Sequence, residues 1–353
     1  MQPDSFTAQL LRASLDGFAG LAASLLCEGQ PGGAEAMGGF ELWKDHQREL
    51  LRHLAVALEE GAPEEFAQHM SWSRTNWLAR VGTDTVDDSD SLPRAGLESL
   101  GQVLQKNLPS HAWANVQACL DAGAQALQQS DPPSSAAGSA NELAETYLRA
   151  LRAGTLEEAE ALLQDSLDRG EHDLVVLLDE VISPALSRVG ELWQRGEIDV
   201  AEEHILTQAA RSTLARLESR GERASQRGCT VVLASVAGNA HDLGVRAVAS
   251  LFEGAGWRVH CTGANTPAED VALLCERVDA DLLALSAALA PQRPMVGATI
   301  ARVREMRPEQ RVLVGGPAFA GERDTWSALG ADACATSGRQ ALELAAKLCQ
   351  LAD

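Results

Sequence analysis

Val231 to Val236 reads Val-Val-Leu-Ala-Ser-Val, an uncharged and largely β-branched run, and it gives way through Ala237-Gly238-Asn239-Ala240-His241-Asp242-Leu243-Gly244 to helical spacing from Val245 to Phe252. A segment with no polar face is a strand buried on both sides, which places it inside a parallel sheet covered by helices. The order strand, small-residue turn, helix therefore predicts a layered α/β domain. His241 falls at that strand's carboxyl end, the edge where open α/β sheets bind ligands, and a turn relieved by glycine can lift an imidazole clear of the backbone. The spacing alone is equally compatible with a loop histidine hydrogen-bonded to its neighbours.

Two later segments repeat the pattern. Leu282-Leu283-Ala284-Leu285-Ser286 ends an apolar run with a hydroxyl, and Val312-Leu313-Val314-Gly315-Gly316-Pro317 ends another with paired glycines. Glycines at a strand end permit a ring system to approach closely, and a serine two strands from the histidine can anchor a supporting hydrogen bond.

With these three strand ends, the chain from about Gly228 to Asp353 resembles the cobalamin-binding domains, whose pattern is Asp-x-His-x-x-Gly, then Ser-x-Leu, then Gly-Gly. The resemblance implies a Rossmann-like, flavodoxin-like domain with His241 as the lower axial ligand of cobalt. Asn239, Asp242 and Gly244 then lie around that ligand, and Ser286, Gly315 and Gly316 line the slot for the nucleotide tail. Two positions depart from the pattern: the acidic position is Asn239, and the third residue of the serine motif is Ala288. An asparagine oxygen can accept a hydrogen bond from the imidazole but brings no negative charge to raise its basicity.

Upstream, about Asn141 to Arg223 predicts four helices forming a small bundle. Thr155 with Glu158 and Asp199 with Glu202 fit capping boxes, Gly170 and Gly196 separate helices, and Pro184 is expected to kink a third helix running from Glu171 to Gln194. Nine residues separate Trp193 from Glu203-His204, a spacing that resembles the light-sensing cobalamin proteins. That resemblance implies an upper pocket in which Trp193, Glu203 and His204 shelter the adenosyl group of adenosylcobalamin. On residue type alone the better reading is Trp193 as a bundle-core aromatic and Glu203-His204 as a solvated pair, and the neighbouring cobalamin-like domain is what favours the pocket. The best-known photoreceptor of this kind has a histidine directly after the tryptophan. Here it is Gln194, a poor cobalt ligand, so the illuminated state is expected to differ.

The chain's formal charge is −21, and the excess of acid falls almost entirely before about residue 226. Such a chain is repelled by phosphate backbones, and no basic cluster offsets this, so direct nucleic-acid binding is not expected. No run approaches a membrane span, and the first thirty residues lack a basic start, which predicts a cytoplasmic protein. Seven scattered cysteines without a Cys-x-x-Cys pair read as reduced thiols.

The first 130 residues carry helical patterns over about Phe6–Cys27, Phe40–Glu60, Pro63–Val81, Arg94–Lys106 and Ser110–Gln129, interrupted by a glycine-rich turn from Gly29 to Gly39 and an acidic loop from Gly82 to Ser91. Trp43, Trp72, Trp77 and Trp113 fall here with His46, His53, His69 and His111. Such a set lines a pocket for a conjugated ligand or belongs to an ordinary helical core with surface histidines, and spacing does not decide between them. His46 and His53 share a helix face, but no third ligand stands at metal spacing.

The whole order resembles the photocobilins, light sensors that hold biliverdin beside cobalamin. It implies an all-helical sensor domain over 1–130 with non-covalent biliverdin, a linker over 131–140, a four-helix bundle over 141–226 and a Rossmann-like cobalamin domain over 227–353. The expected function is a non-enzymatic light sensor and homo-oligomer acting through an unidentified protein partner. The competing expectation is a corrinoid methyl carrier of a methyltransferase system.

Overall fold

The computed structural model describes residues 1–29, 39–81, 91–128, 141–218, 225, 228–320 and 324–350. The expected glycine-rich turn, the acidic loop and the linker lie largely outside them, as do the side chains of Trp77 and Gln194. The chain divides into two compact units, residues 1–137 with 191–199, and residues 138–190 with 200–353.

The first unit is helical: α1 (Ser5–Ala13), α2 (Leu15–Gly29), α3 (Gly39–Glu60), α4 (Pro63–Val81), α5 (Ser91–Asn107) and α6 (Ser110–Gln128). Four of the five expected helices appear within a few residues of their predicted ends. The exception is Phe6–Cys27, which breaks at Ser14 into α1 and α2 with a 74° bend. The break lets both pieces pack on α3: Arg12 of α1 pairs with Glu59 near the end of α3, whereas Asp16 of α2 pairs with Arg48 farther back. Hydrophobic periodicity continues through Ser14 and cannot register a turn that tertiary packing imposes. The core is Leu11, Leu50, Leu54, Phe66, Leu100 and Leu104, none of them exposed.

The second unit begins with the bundle helices α7 (Glu142–Arg152) and α8 (Leu156–Asp168). Tyr147, Leu163, Leu177, Val181, Ala210 and Leu214 fill its interior. The third helix, α9, comprises Leu174–Val176, a π-helical stretch over Leu177–Ile182 and regular helix over Ser183–Gln194. It starts at Leu174 because the Asp173 carboxylate caps the Val176 N–H at 2.8 Å. Pro184 acts by widening the helix ahead of it. Lacking an N–H and crowding the carbonyl four residues back, proline fits once the preceding turn opens, and the Ser183 N–H reaches Leu178 O, five residues back. Thr155 sits at the N-cap of α8, but its hydroxyl donates backwards to Ala150 O and makes no cap bond. The fourth helix is α10 (Val200–Glu218).

The rest is a doubly wound α/β layer. Five parallel strands, β1 (Thr230–Val236), β2 (Arg258–Thr266), β3 (Leu282–Ser286), β4 (Arg311–Gly315) and β5 (Ala333–Ala335), lie in the order β2-β1-β3-β4-β5. The helices are α11 (Leu243–Gly254), α12 (Ala268–Val278), α13 (Arg293–Met306), the short α14 (Thr325–Ala328) and α15 (Gly338–Leu348). Every residue of β1 is buried, as its composition requires. Val231 and Leu233 face a cluster with Val245, Ala249 and Phe252 of α11, while Val232, Ala234 and Val236 face one with Val271 of α12 and Val296 of α13. The chain leaves β1 toward β2 on one side and returns to β3 on the other, so the carboxyl ends of β1 and β3 flank the switch point.

Candidate functional site

Ser235, Ser286 and Gly315 are in register at the carboxyl ends of β1, β3 and β4. This brings the three expected strand ends to one edge. The His241 side chain is exposed there, on the loop between β1 and α11.

That loop is fixed through its backbone. Ser235 Oγ donates to His241 O at 3.0 Å, and buried Asn239 accepts the His241 N–H at 3.1 Å while its amide donates to Ser286 O at 3.2 Å. The expected bond from the imidazole to Asn239 is thus replaced by one from the peptide N–H. An asparagine two residues before the histidine closes a short Asx-type turn more readily than it reaches the ring.

Asp242 is engaged by two arginines of the protein itself. Its carboxylate takes Arg211 of α10 at 2.6 and 3.2 Å and Arg246 of α11 at 2.6 Å. The hydrogen bond from Arg211, reinforced by Arg246, holds the carboxyl down to about 2 against the opposing effect of burial. Arg211 lies eight residues after Glu203, and Thr207 falls midway, so the three form one stripe of α10. Thr207 Oγ1 donates to Glu203 at 2.7 Å, and His204 Nδ1 pairs with the other Glu203 oxygen. Glu203 is half-buried and His204 exposed, beside Val200 and Ile205, which are 51% and 65% exposed. The face of α10 fastened to the His241 loop therefore also carries Glu203.

The glycines divide by role. A Cβ on Gly244 would meet nothing within 4 Å, leaving open space next to the histidine loop. Gly315 and Gly316 are required by the protein's own backbone: a Cβ would come within 2.9 Å of Ala335 O and 2.3 Å of Ala287 O respectively, and Gly316 has φ +99°. They bring the β3, β4 and β5 ends together.

Trp193 clusters with the first unit. Its indole lies against Trp72, ring centroids 6.4 Å apart. Trp72 in turn stacks on His69 at 5.8 Å, and His69 on His53 at 3.5 Å, with those imidazoles within 10° of parallel. Trp43 meets His46 edge-on at 5.6 Å. Burial drives His46 down to about 4, and burial with the neighbouring His53 and His46 drives His69 well below its usual range.

Residues absent from the sequence expectation are Arg211, Arg246, Asn265, Gln292 and Asp179. Asp179, in the π-helical stretch of α9, accepts the Gly338 and Arg339 N–H groups at 2.7 and 2.9 Å, fastening the bundle to the start of α15. The widened turn beside Pro184 was the available signal for it.

Taken together, fold and edge define a class: a parallel α/β ligand-binding layer whose switch point presents one accessible imidazole, joined to a helical bundle. Residues 229–346 match the B12 binding domain family, and residues 143–218 match a second family of the same description. The two matched stretches support a cobalamin-binding family for this chain.

Dimethylamine corrinoid protein 1 of Methanosarcina acetivorans is 27% identical over 51% of this chain and 85% of its own length. The HTH-type transcriptional repressor CarH of Myxococcus xanthus is 31% identical over 50% of this chain and 59% of its own length. The structure of the Methanosarcina barkeri monomethylamine corrinoid protein superposes with TM-score 0.52 at 19% identity, over 59% of this chain and 98% of that one, a likeness of fold.

The residues present fit a corrinoid. Among the described residues no group of three or more His, Cys, Asp or Glu side chains is placed to hold a metal ion. A single accessible imidazole beside open space suits a metal that arrives within its own macrocycle and asks the protein for one axial ligand.

Proposed function

We propose that the chain is a light sensor that binds adenosylcobalamin, with His241 as the lower ligand to cobalt. The observation that carries the reading is the exposed imidazole at the β1/β3 switch point, with the adjacent Asp242 fastened to bundle helix α10 through Arg211. When bound, adenosylcobalamin supplies a cobalt–carbon bond that visible light cleaves.

The chain's own residues supply the cavity and the readout. Glu203 stands on the α10 stripe that reaches the histidine loop, with His204 paired to it, and both serve the upper side. The assignment of Trp193 to that side rests on its sequence spacing. Losing an upper-side ligand removes contacts to α10, and the arrangement shifts by no more than those contacts are worth, typically about 1–3 kcal/mol. A change of homo-oligomeric state, relayed to a protein partner, is the output. The aromatic and histidine set of the first unit supports biliverdin as a second, non-covalent chromophore.

In the test, full-length protein is loaded with adenosylcobalamin in the dark and its visible spectrum recorded before and after green illumination. A changed spectrum is expected, and an unchanged one ends the light-sensing proposal. The same protein mixed with biliverdin should gain a far-red band.

The second reading, a corrinoid methyl carrier, is favoured by the similarity to the dimethylamine corrinoid protein. It predicts methyl transfer from the methylcobalamin-loaded chain to a thiol acceptor in the presence of a methyltransferase, and indifference to illumination of the adenosyl form.

A further inference from the structure

Gly238 is held at both ends of its residue. Its N–H donates to Asn265 Oδ1 at 2.7 Å, and its carbonyl accepts from Gln292 Nε2 at 3.0 Å. Asn265, at the end of β2, adopts φ +49°, a left-handed conformation that asparagine enters more readily than other side chains apart from glycine. Its own N–H donates to Asn239 O at 2.9 Å. Gln292, 7% exposed ahead of α13, uses its other end on the neighbouring loop, where Oε1 accepts the Ala288 and Leu289 N–H groups at 2.8 and 3.0 Å. One buried carboxamide thus ties the histidine loop after β1 to the serine loop after β3, while Asn265 ties the former to β2.

Every one of these bonds ends on backbone, and so do those of Asn239 and Ser235. None reaches the imidazole. A carboxylate on the ring would raise its basicity and aim it, and position 239 supplies none. What remains to aim the ring is the rigidity of the peptide that carries it.

We infer that Gln292 and Asn265 are positioning residues that set how firmly His241 grips cobalt, by clamping the Gly238 peptide from both sides; this rests on the proposed ligand role of His241. Fixing the loop before the cofactor arrives moves its ordering cost into folding, so little is lost on binding.

The test uses the full chain with Gln292→Met, which keeps the length but removes donor and acceptor, and Asn265→Gly, which keeps the backbone conformation but removes the Oδ1 acceptor. Amide hydrogen exchange at 238–241 and 287–289 is measured without cofactor, and the imidazole-bound absorption of added hydroxocobalamin is followed against pH.

Gln292→Met should exchange at least about 10-fold faster at both segments, and Asn265→Gly at 238–241. They should also bind cobalamin roughly 10- to 100-fold more weakly, with a larger fraction lacking the imidazole-bound spectrum. Unchanged exchange, or faster exchange with an unchanged spectrum, overturns the positioning role. His241→Ala separates the two claims. If it leaves the wild-type spectrum intact, the ligand reading itself fails, whereas loss of that spectrum in His241→Ala with retention in both clamp variants refutes only the clamp. Should Gln292→Met not fold, Asn265→Gly decides alone.

Discussion

Asp242 shows how a residue within a ligand motif can serve the scaffold. Its carboxyl is held down to about 2 by two guanidiniums, so below the ordinary carboxylate range the unfolded chain takes up a proton that the folded one refuses. The stabilisation is complete above about pH 4 and fades as pH falls toward 2, and it is worth about 2 kcal/mol. Asp242→Asn should therefore lower the unfolding temperature of the second unit at pH 7, and its stability should depend less on pH between 4 and 2 than that of the parent. Circular dichroism melts across that range provide the check. An equal pH dependence in both proteins would show that the pair with Arg211 contributes nothing.

The helices of the first unit carry a second titration of the same sense at higher pH, here because the neutral form is favoured. His46 on α3 is pushed down to about 4, and His69 on α4, stacked on His53, lies well below its usual range. An unfolded imidazole takes its proton near 6.5, so folding loses support as pH falls through 6.5 toward 4 and none further below, with His46 alone accounting for roughly 2–3 kcal/mol. Replacing His46 with Gln should flatten this limb of the melting curve. A limb that keeps its slope would place the titration elsewhere. The stacking that joins His69 to Trp72, and Trp72 to Trp193, means that protonating His69, which burial holds well below its usual range, should also alter tryptophan emission.

Across the whole molecule, legibility in the sequence depends on which forces are local. Strand β1 is legible because seclusion on both faces leaves no charged residue in Val231–Val236, and α3 because its buried leucines recur at helical spacing. The edge strand β2 is not, since its exposed and half-buried residues mix without a period. Of the site, His241, Ser286 and the glycine pair stand out as strand-end residues. Arg211, Gln292 and Asn265 do not, because each acquires its partner from a different strand or helix, and nothing in a lone arginine or amide announces which backbone or carboxylate it will meet. The backbone contacts of Asn239 and the paired glycines are hidden for the same reason: their nearest neighbours are the protein's own peptides.

The π-helical stretch at Leu177–Ile182 fits one more residue into a turn than a regular coil accepts, and its carboxylate at Asp179 closes on the first amides of α15. Excising a single residue there would restore ordinary winding, leave the turns on either side near their present angles, and change the direction in which Asp179 projects. The acid could then no longer find those amides. A helix defect that looks like a blemish thus serves as the indexing notch by which the bundle keeps its angular setting on the last helix of the sheet domain.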